Sequence, residues 1–301
     1  MRTAVQPSSG EACDDAPVRL VDAHGHLNAD RFEADAVLVA GAARLAGVER
    51  LLVPGWNVAS SERALELVGR LPWLDAAVGV HPHDAAKVDG AGWSRIVDLA
   101  GDERVRAIGE TGLDYDRVFS PIPDQLANLR RNLTLALETG KPVILHCRSQ
   151  AGARDAQDAL HAELVAAGVG EPRWRDRFGD RPPAIVHSFS GPVDYAEAML
   201  ALGCVVSFSG LVFRRGEEAS ADVAALVPAD RLLVETDSPF LTPPGGPRGR
   251  NEPAAVRFTA AWLAERRGIT PEVLGPALIA AYDRTFGDRP PNAATEPGAT
   301  P

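Results

Sequence analysis

Two lysines, three cysteines, two methionines and three tyrosines stand in 301 residues, and each shortage excludes something. Lys87 and Lys141 are the only lysines, so arginine carries almost all positive charge; we attribute that skew to biased genome composition. The formal net charge is −10, which argues against a protein that grips nucleic acid through a broad basic surface. It leaves room for acidic sites whose field bound divalent cations would reverse. Three cysteines, none paired as CxxC, suggest no disulfide framework and a reducing compartment. Cys147 and Cys204 lie in apolar strand-like segments and read as buried structural thiols; Cys13 lies in a polar leader. No apolar run approaches the roughly 20 residues that span a bilayer. The first 17 residues lack the apolar core of a secretory signal. A soluble, cytoplasmic, monomeric protein is expected. Dinucleotide-binding and phosphate-loop glycine patterns are missing, as is any repeat of solenoid period.

What remains is ordinary globular material, 45% hydrophobic and 24% charged. Residues 1–17 and 288–301 are rich in small polar residues and proline and read as disordered ends. Residues 18–287 read as one domain. Within them, short runs of Val, Ile, Leu and Ala alternate with segments of helical spacing. Strands are expected over 19–24, 50–55, 75–81, 104–110, 141–147, 183–189, 204–209 and 231–237. Helices are expected over 31–46, 60–71, 93–100, 124–139, 153–167, 193–202, a segment ending at 227, 253–267 and 271–284. Eight such pairs predict an α/β fold, a (β/α)8 TIM barrel in a single domain. An open doubly wound sheet explains the alternation equally well but gathers ligands at one switch point.

Six of the apolar runs end in a side chain that binds metal or moves protons: His24, His81, Glu110, His146, His187 and Asp237. Parallel strands joined by right-handed crossovers place their C-terminal ends on one face, so these groups converge. In Asp22-Ala-His24-Gly-His26 the two imidazoles share strand parity and can grip one ion, and Asp22 can orient an imidazole from behind. Glu110 lies between Gly109 and Gly112 in GETGLDY, spacing that suits a carboxylate in close approach to cations. His24 and His26 with Glu110 and Asp237 can hold one divalent ion, and Glu110 with His146 and His187 a second. That is a two-metal arrangement for displacement at phosphorus or acyl carbon. Glu110 is the bridging carboxylate, and Asp237 is placed to take the proton of the attacking water. Burying so many ionisable groups without a cation is costly. Imidazole-rich sets favour Zn²⁺ or Mn²⁺, whereas Mg²⁺ prefers oxygen ligands.

The set DxHxH, GETGLDY, PVILHCR, HSFSG and ETDSPFLTP…RGRNEP resembles the TatD family of metal-dependent deoxyribonucleases, within the amidohydrolase-like TIM barrels. It runs from about Val18 to Gly287. The resemblance implies metal-dependent hydrolysis of phosphodiesters, usually of DNA and often from the 3′ end, in assays usually with Mg²⁺. It carries the ligand role to His24, His26, Glu110, His146, His187 and Asp237. Three features depart from the family pattern: Gln125 lacks its following aromatic, the closing motif reads Ala281-Tyr-Asp-Arg-Thr-Phe-Gly287, and 171–178 looks inserted. They bear on substrate choice.

Substrate contacts are expected from His81, which either meets a phosphate or leaving group or shapes the turn at Pro82. Arg148 either forks onto a phosphate or forms a salt bridge. Arg250 and Asn251, with Arg248, lie in the long Pro/Gly loop after the last strand and are read as backbone-gripping residues, Arg214 and Arg215 as weaker ones. Trp56 either stacks on a base or packs against the rim. DNA is the expected substrate. Rival readings are an amidohydrolase, lactonase or D-aminoacyl-tRNA deacylase on the same barrel, or a non-catalytic metal-binding protein. Many barrels of that kind use a carboxylated lysine at strand four. Here Glu110 stands there and neither lysine ends a strand.

Overall fold

The computed structural model describes residues 17–288. The expected leader and tail, and Cys13, fall almost wholly outside the described residues. Eight strands form one parallel sheet in sequence order: β1 Leu20–Asp22, β2 Val48–Pro54, β3 Leu74–Val78, β4 Val105–Asp114, β5 Val143–Arg148, β6 Ala184–Val186, β7 Val205–Phe208 and β8 Leu232–Val234. Their side chains are buried almost throughout, as strands covered on both faces require. Backbone bonds from Ala23 to Val234 (3.0 Å) and from Asp237 to His24 (2.9 Å) draw the last strand to the first. A parallel bridge between Gly25 and Ser238 completes the seam. The sheet is thus a nearly closed barrel rather than an open one.

The outer layer is α1 Ala36–Leu45, α2 Val58–Arg70, α3 Gly90–Ala100, α4 Ile122–Thr139, α5 Asp155–Ala166, α6 Pro172–Phe178, α7 Val193–Ala201, α8 Ser220–Leu226, α9 Val256–Arg266 and α10 Pro271–Phe286. Local chemistry sets several boundaries. Asn57 caps α2 by accepting from the Ser60 amide, and Asp89 caps α3 through Gly92. Gly140 ends α4 with a left-handed φ of 65°. Among the described residues no helix is long and apolar enough to cross a membrane.

Several expectations change. The helix expected from Arg31 is a short turn, Asp30–Phe32, followed by α1 from Ala36; the chain turns because Phe32 is drawn fully into the core. The expected insertion is the short helix α6, whose buried Trp174 stacks on Phe178 and bonds the Ala167 carbonyl. Finally, β4 continues past Glu110 to Asp114. Gly109 and Gly112 have φ of 130° and 134°, and a Cβ there would lie 2.7 Å from the Ile144 carbonyl oxygen and 2.0 Å from that of His146. The neighbouring strand β5, rather than the approach of a carboxylate to cations, makes these positions glycine.

Candidate metal centre

Strand direction brings the predicted groups to one mouth of the barrel. His24 and His26 follow β1, Glu110 and Asp114 lie in β4, His146 lies in β5, His187 follows β6 and Asp237 follows β8. All but His24, which is fully buried, line a cavity of about 1080 Å³.

Glu110 is buried at the centre, and its two oxygens face different partners. Oε2 lies 3.4 Å from His24 Nε2 and 3.5 Å from His26 Nε2. Asp237 Oδ1 completes that side, 3.3 Å from His26 Nε2 and 4.0 Å from His24 Nε2. Oε1 lies 2.8 Å from His187 Nε2, 3.2 Å from His146 Nδ1 and 3.3 Å from His81 Nε2. Three triads have all ligand atoms within 4.8 Å of one another: His24–Glu110–His187, His24–His26–Asp237 and His81–Glu110–His146. His24 also stacks on His187, with ring centres 4.0 Å apart.

A second layer of carboxylates orients two rings. His187 Nδ1 donates to Glu235 Oε1 at 3.1 Å, and Glu235 Oε2 accepts from Ser207 at 2.6 Å. Nε2 of His187 is buried, has no hydrogen-bond partner among the described residues and points at Glu110. On the other ring, His146 Nε2 lies 3.2 Å from Asp114 Oδ2, which also receives His83 Nε2 at 2.7 Å. This is the carboxylate–imidazole pairing that presents the remaining ring nitrogen to a metal. Neither Glu235 nor Asp114 was picked from the sequence. The signal is there in strand parity: Glu235 lies two residues before Asp237, and Asp114 four after Glu110.

His81 differs from its neighbours. Its Nδ1 accepts the backbone N–H of His83 at 3.0 Å, so that nitrogen carries a lone pair. In the neutral ring Nε2 must then carry the proton. Burial pushes His81 down to about 4, outweighing the pull of Glu110, so the ring is neutral near pH 7. His81 thus aims an N–H at the centre, whereas His146 and His187 can offer lone pairs.

The electrostatics demand positive charge. Burial pulls Glu110 upward, but His81, His187 and His24 outweigh it and hold the carboxyl well below its usual range. Burial likewise opposes His187, which Glu110 and Glu235 nevertheless drive well above the ordinary imidazole value. Asp237, raised by burial, is lowered overall by His26 and the neighbouring imidazoles. Imidazole and carboxylate donors, with an unsatisfied buried nitrogen among them, fit divalent cations.

Other expected residues divide. Arg148 lines the cavity with its Nε paired to Asp116 at 2.8 Å, and Trp56 lines it edge-on to His26. Arg250 does not face the cavity: its guanidinium lies over the Phe32 ring and binds Asp35 and Glu252. Asn251 is fully buried and donates to the Thr236 carbonyl at 2.9 Å, bracing the segment that carries Asp237. Both are consumed by internal partners that a loop sequence does not reveal. Asp22 accepts from the His24 and Thr236 amides and the Thr236 hydroxyl, tying β1 to β8 instead of orienting an imidazole. Lys141 bonds the carbonyls of Ala100 and Asp102 before β5, and Lys87, on the cavity wall, is paired with Asp84 at 2.7 Å, so neither lysine touches Glu110.

A carboxylate ringed by imidazoles at the C-terminal mouth of a β/α barrel defines a metal-dependent barrel hydrolase. A family model described as TatD related DNase matches residues 21–287, and the chain belongs to that family. It is 34% identical to an uncharacterized metal-dependent hydrolase, YabD, of Bacillus subtilis, covering 89% of this chain and 98% of that one. It is 36% identical to a 3′-5′ ssDNA/RNA exonuclease TatD of Erwinia billingiae, over 87% and 96%. Among solved structures it resembles the TatD homologue YJJV of Escherichia coli K12, with TM-score 0.77, 27% identity and coverage of 90% and 99%. An organophosphorus hydrolase of Deinococcus radiodurans, at TM-score 0.61 and 16% identity over 91% and 93%, shares the fold.

Proposed function

We propose that this protein shortens single-stranded DNA from its 3′ end with two divalent ions, both of which Glu110 would help to hold. His24, His26 and Asp237 would hold the first ion, and His146 and His187 the second. The two-sided distribution of imidazoles about Glu110 carries the reading. The names of the 36%-identical exonuclease and the matching family support nucleic acid as substrate. Zn²⁺ or Mn²⁺ suits the imidazole-rich set better than Mg²⁺.

Bound ions supply Lewis acidity to phosphoryl oxygens and bring the pKa of water toward neutrality. The chain's own groups then take distinct tasks. Asp237, with 16% of its side chain exposed, accepts the proton of the attacking water. His81 donates a hydrogen bond from Nε2–H to a phosphoryl or leaving-group oxygen. Glu235 and Asp114 keep His187 and His146 in position. Arg148 meets the phosphate backbone from the wall. Every group comes from one chain, which supports action as a monomer. The three dispersed cysteines suit the cytoplasm.

The test is a substrate panel. Chelator-stripped protein is reloaded with Mg²⁺, Mn²⁺ or Zn²⁺ and offered end-labelled single-stranded DNA, duplex DNA, RNA, D-aminoacyl-tRNA and simple esters. Stepwise loss of nucleotides from the 3′ end of single-stranded DNA is expected, abolished in Asp237→Asn with the circular dichroism spectrum unchanged. Intact nucleic acids with every ion, beside a cleaved ester or aminoacyl-tRNA, would overturn the proposal.

A further inference from the structure

The cavity wall carries an unusual pair of side chains. Among the described residues the only exposed aromatic groups are Phe119, at 67%, and Phe240, at 52%, and both line the mouth of this cavity. Phe32, Phe178, Phe189, Phe208 and Phe286 are buried, as apolar rings ordinarily are. Exposed phenyl groups confined to one site mark a surface meant to be covered.

Their placement brackets the centre. Phe119 follows β4 and sits edge-on to His83, with ring centres 4.7 Å apart. Ring contacts then run from His83 to His81, to His146, to His187, to His24 and to His26. Phe240 closes the series at 6.0 Å from His26. Its amide bonds the Asp237 carbonyl at 2.9 Å, so the ring is tied to a carboxylate of the centre. The two phenyl groups thus stand at opposite ends of an arc of imidazoles, with Glu110 within it.

Charge on the same wall says what covers them. Arg117, Arg214 and Arg215 line the cavity, and their guanidinium groups have no protein hydrogen bond or ion pair among the described residues. Free guanidinium groups beside exposed rings fit a polyanion that carries flat apolar groups.

We propose that Phe119 and Phe240 stack on the two bases flanking the scissile phosphodiester, one ring on each side, so that only unpaired nucleotides seat at the centre. This rests on the exonuclease reading and adds the specificity-determining residues. The penultimate base of a duplex end has both faces occupied by its neighbours and offers none to a phenyl ring. Backbone contacts from the three arginines are indifferent to sequence, so strand state rather than sequence is selected.

The test couples each ring to one base. Cation-loaded wild type, Phe119→Ala, Phe240→Ala and the Phe→Trp variants are compared on single-stranded oligonucleotides that are intact, abasic at the 3′-terminal residue, or abasic at the penultimate one. A base–aromatic stack corresponds to about 5- to 150-fold in kcat/KM. Wild type is expected to discriminate against each abasic substrate within that range. Each alanine variant loses discrimination at one position, the two variants at different positions, and tryptophan restores it. A 2-aminopurine at the coupled position is quenched on binding to wild type and not to the alanine variant. Cleavage with full base discrimination in both alanine variants overturns the stacking while leaving the exonuclease reading intact. Oligonucleotides neither bound nor cleaved by wild type overturn both.

Discussion

Glu235 never meets substrate, yet its removal should weaken cation binding at the centre. It is fully buried, accepts from His187 Nδ1 at 3.1 Å and takes the Ser207 hydroxyl at 2.6 Å. The first contact fixes which His187 nitrogen carries a proton, and so which faces Glu110. Glu235→Gln keeps the shape and removes the charge. Glu235→Ala also strips both acceptors, leaving a buried N–H and a buried hydroxyl unsatisfied. Carboxylates behind metal-binding imidazoles are worth about 10- to 100-fold in metal affinity or activity, or about 1.4–2.7 kcal/mol. Glutamine should sit at the lower end and alanine at the upper. Alanine should also cost about 2–5 kcal/mol of stability through the stranded donors and the cavity. The assay is cation affinity by equilibrium dialysis with metal analysis, beside an activity titration in Mn²⁺ and urea unfolding of the stripped protein. Glutamine should recover most of its rate at saturating cation. Wild-type cation affinity in Glu235→Ala would refute the idea that this carboxylate orients a ligand.

Three further outcomes follow from the same geometry. His81→Ala should keep its cation content while its rate falls about 10²- to 10³-fold, the range of a lost hydrogen-bond donor to developing charge; His146→Ala should lose cation as well, and metal analysis separates the two. Asn251→Ala should lower the unfolding free energy by about 1–3 kcal/mol, because the Thr236 carbonyl loses a buried donor, and urea melts read it directly. Cys204 is a fully buried acid whose thiol burial pushes up from 9.0 to about 12. The unfolded chain releases that proton first, so the contribution is complete below pH 9 and falls by about 1.4 kcal/mol per pH unit between the two values. The stability difference between wild type and Cys204→Ala should therefore shift against wild type over that window in denaturant melts.

The barrel was legible because its signal is repetitive. Eight apolar runs, six of them ended by a metal-binding or proton-moving side chain, leave few topologies once crossovers are right-handed. The runs over-predicted strand in the first, third, sixth and eighth units; β3, for one, stops at Val78 and the chain continues to His81 outside the sheet. They under-predicted it in the fourth, where β4 runs on to Asp114. Both errors arise because a strand ends where its neighbour stops offering hydrogen bonds. Gly79 and Gly109 show the coupling: a Cβ on Gly79 would lie 2.5 Å from Gly109 Cα. No single segment contains that information.

At the centre, the convergence of side chains was legible and their division of labour was not. Which residues meet depends on strand direction and parity, both of which the pattern displays. What each residue does depends on the atom behind it. His81 illustrates the difference, because it lies as close to Glu110 Oε1 as His146 does, at 3.3 Å against 3.2 Å. Distance alone makes both of them ligands. Behind His146 stands the carboxylate of Asp114, an acceptor, so the inward nitrogen is the one left to offer a lone pair to a cation. Behind His81 stands the amide of His83, a donor, so the ring turns a proton inward. Pro82 has no N–H, which makes the His83 amide the first one after His81 able to reach back to its Nδ1. The His-Pro-His spacing thus encodes a hydrogen-bond donor, and a reading that asked what each imidazole leans on would have separated it from the ligands. Arg250 and Asn251 fail for the complementary reason: their type suits a phosphate, but Asp35, Glu252 and the Thr236 carbonyl reach them first.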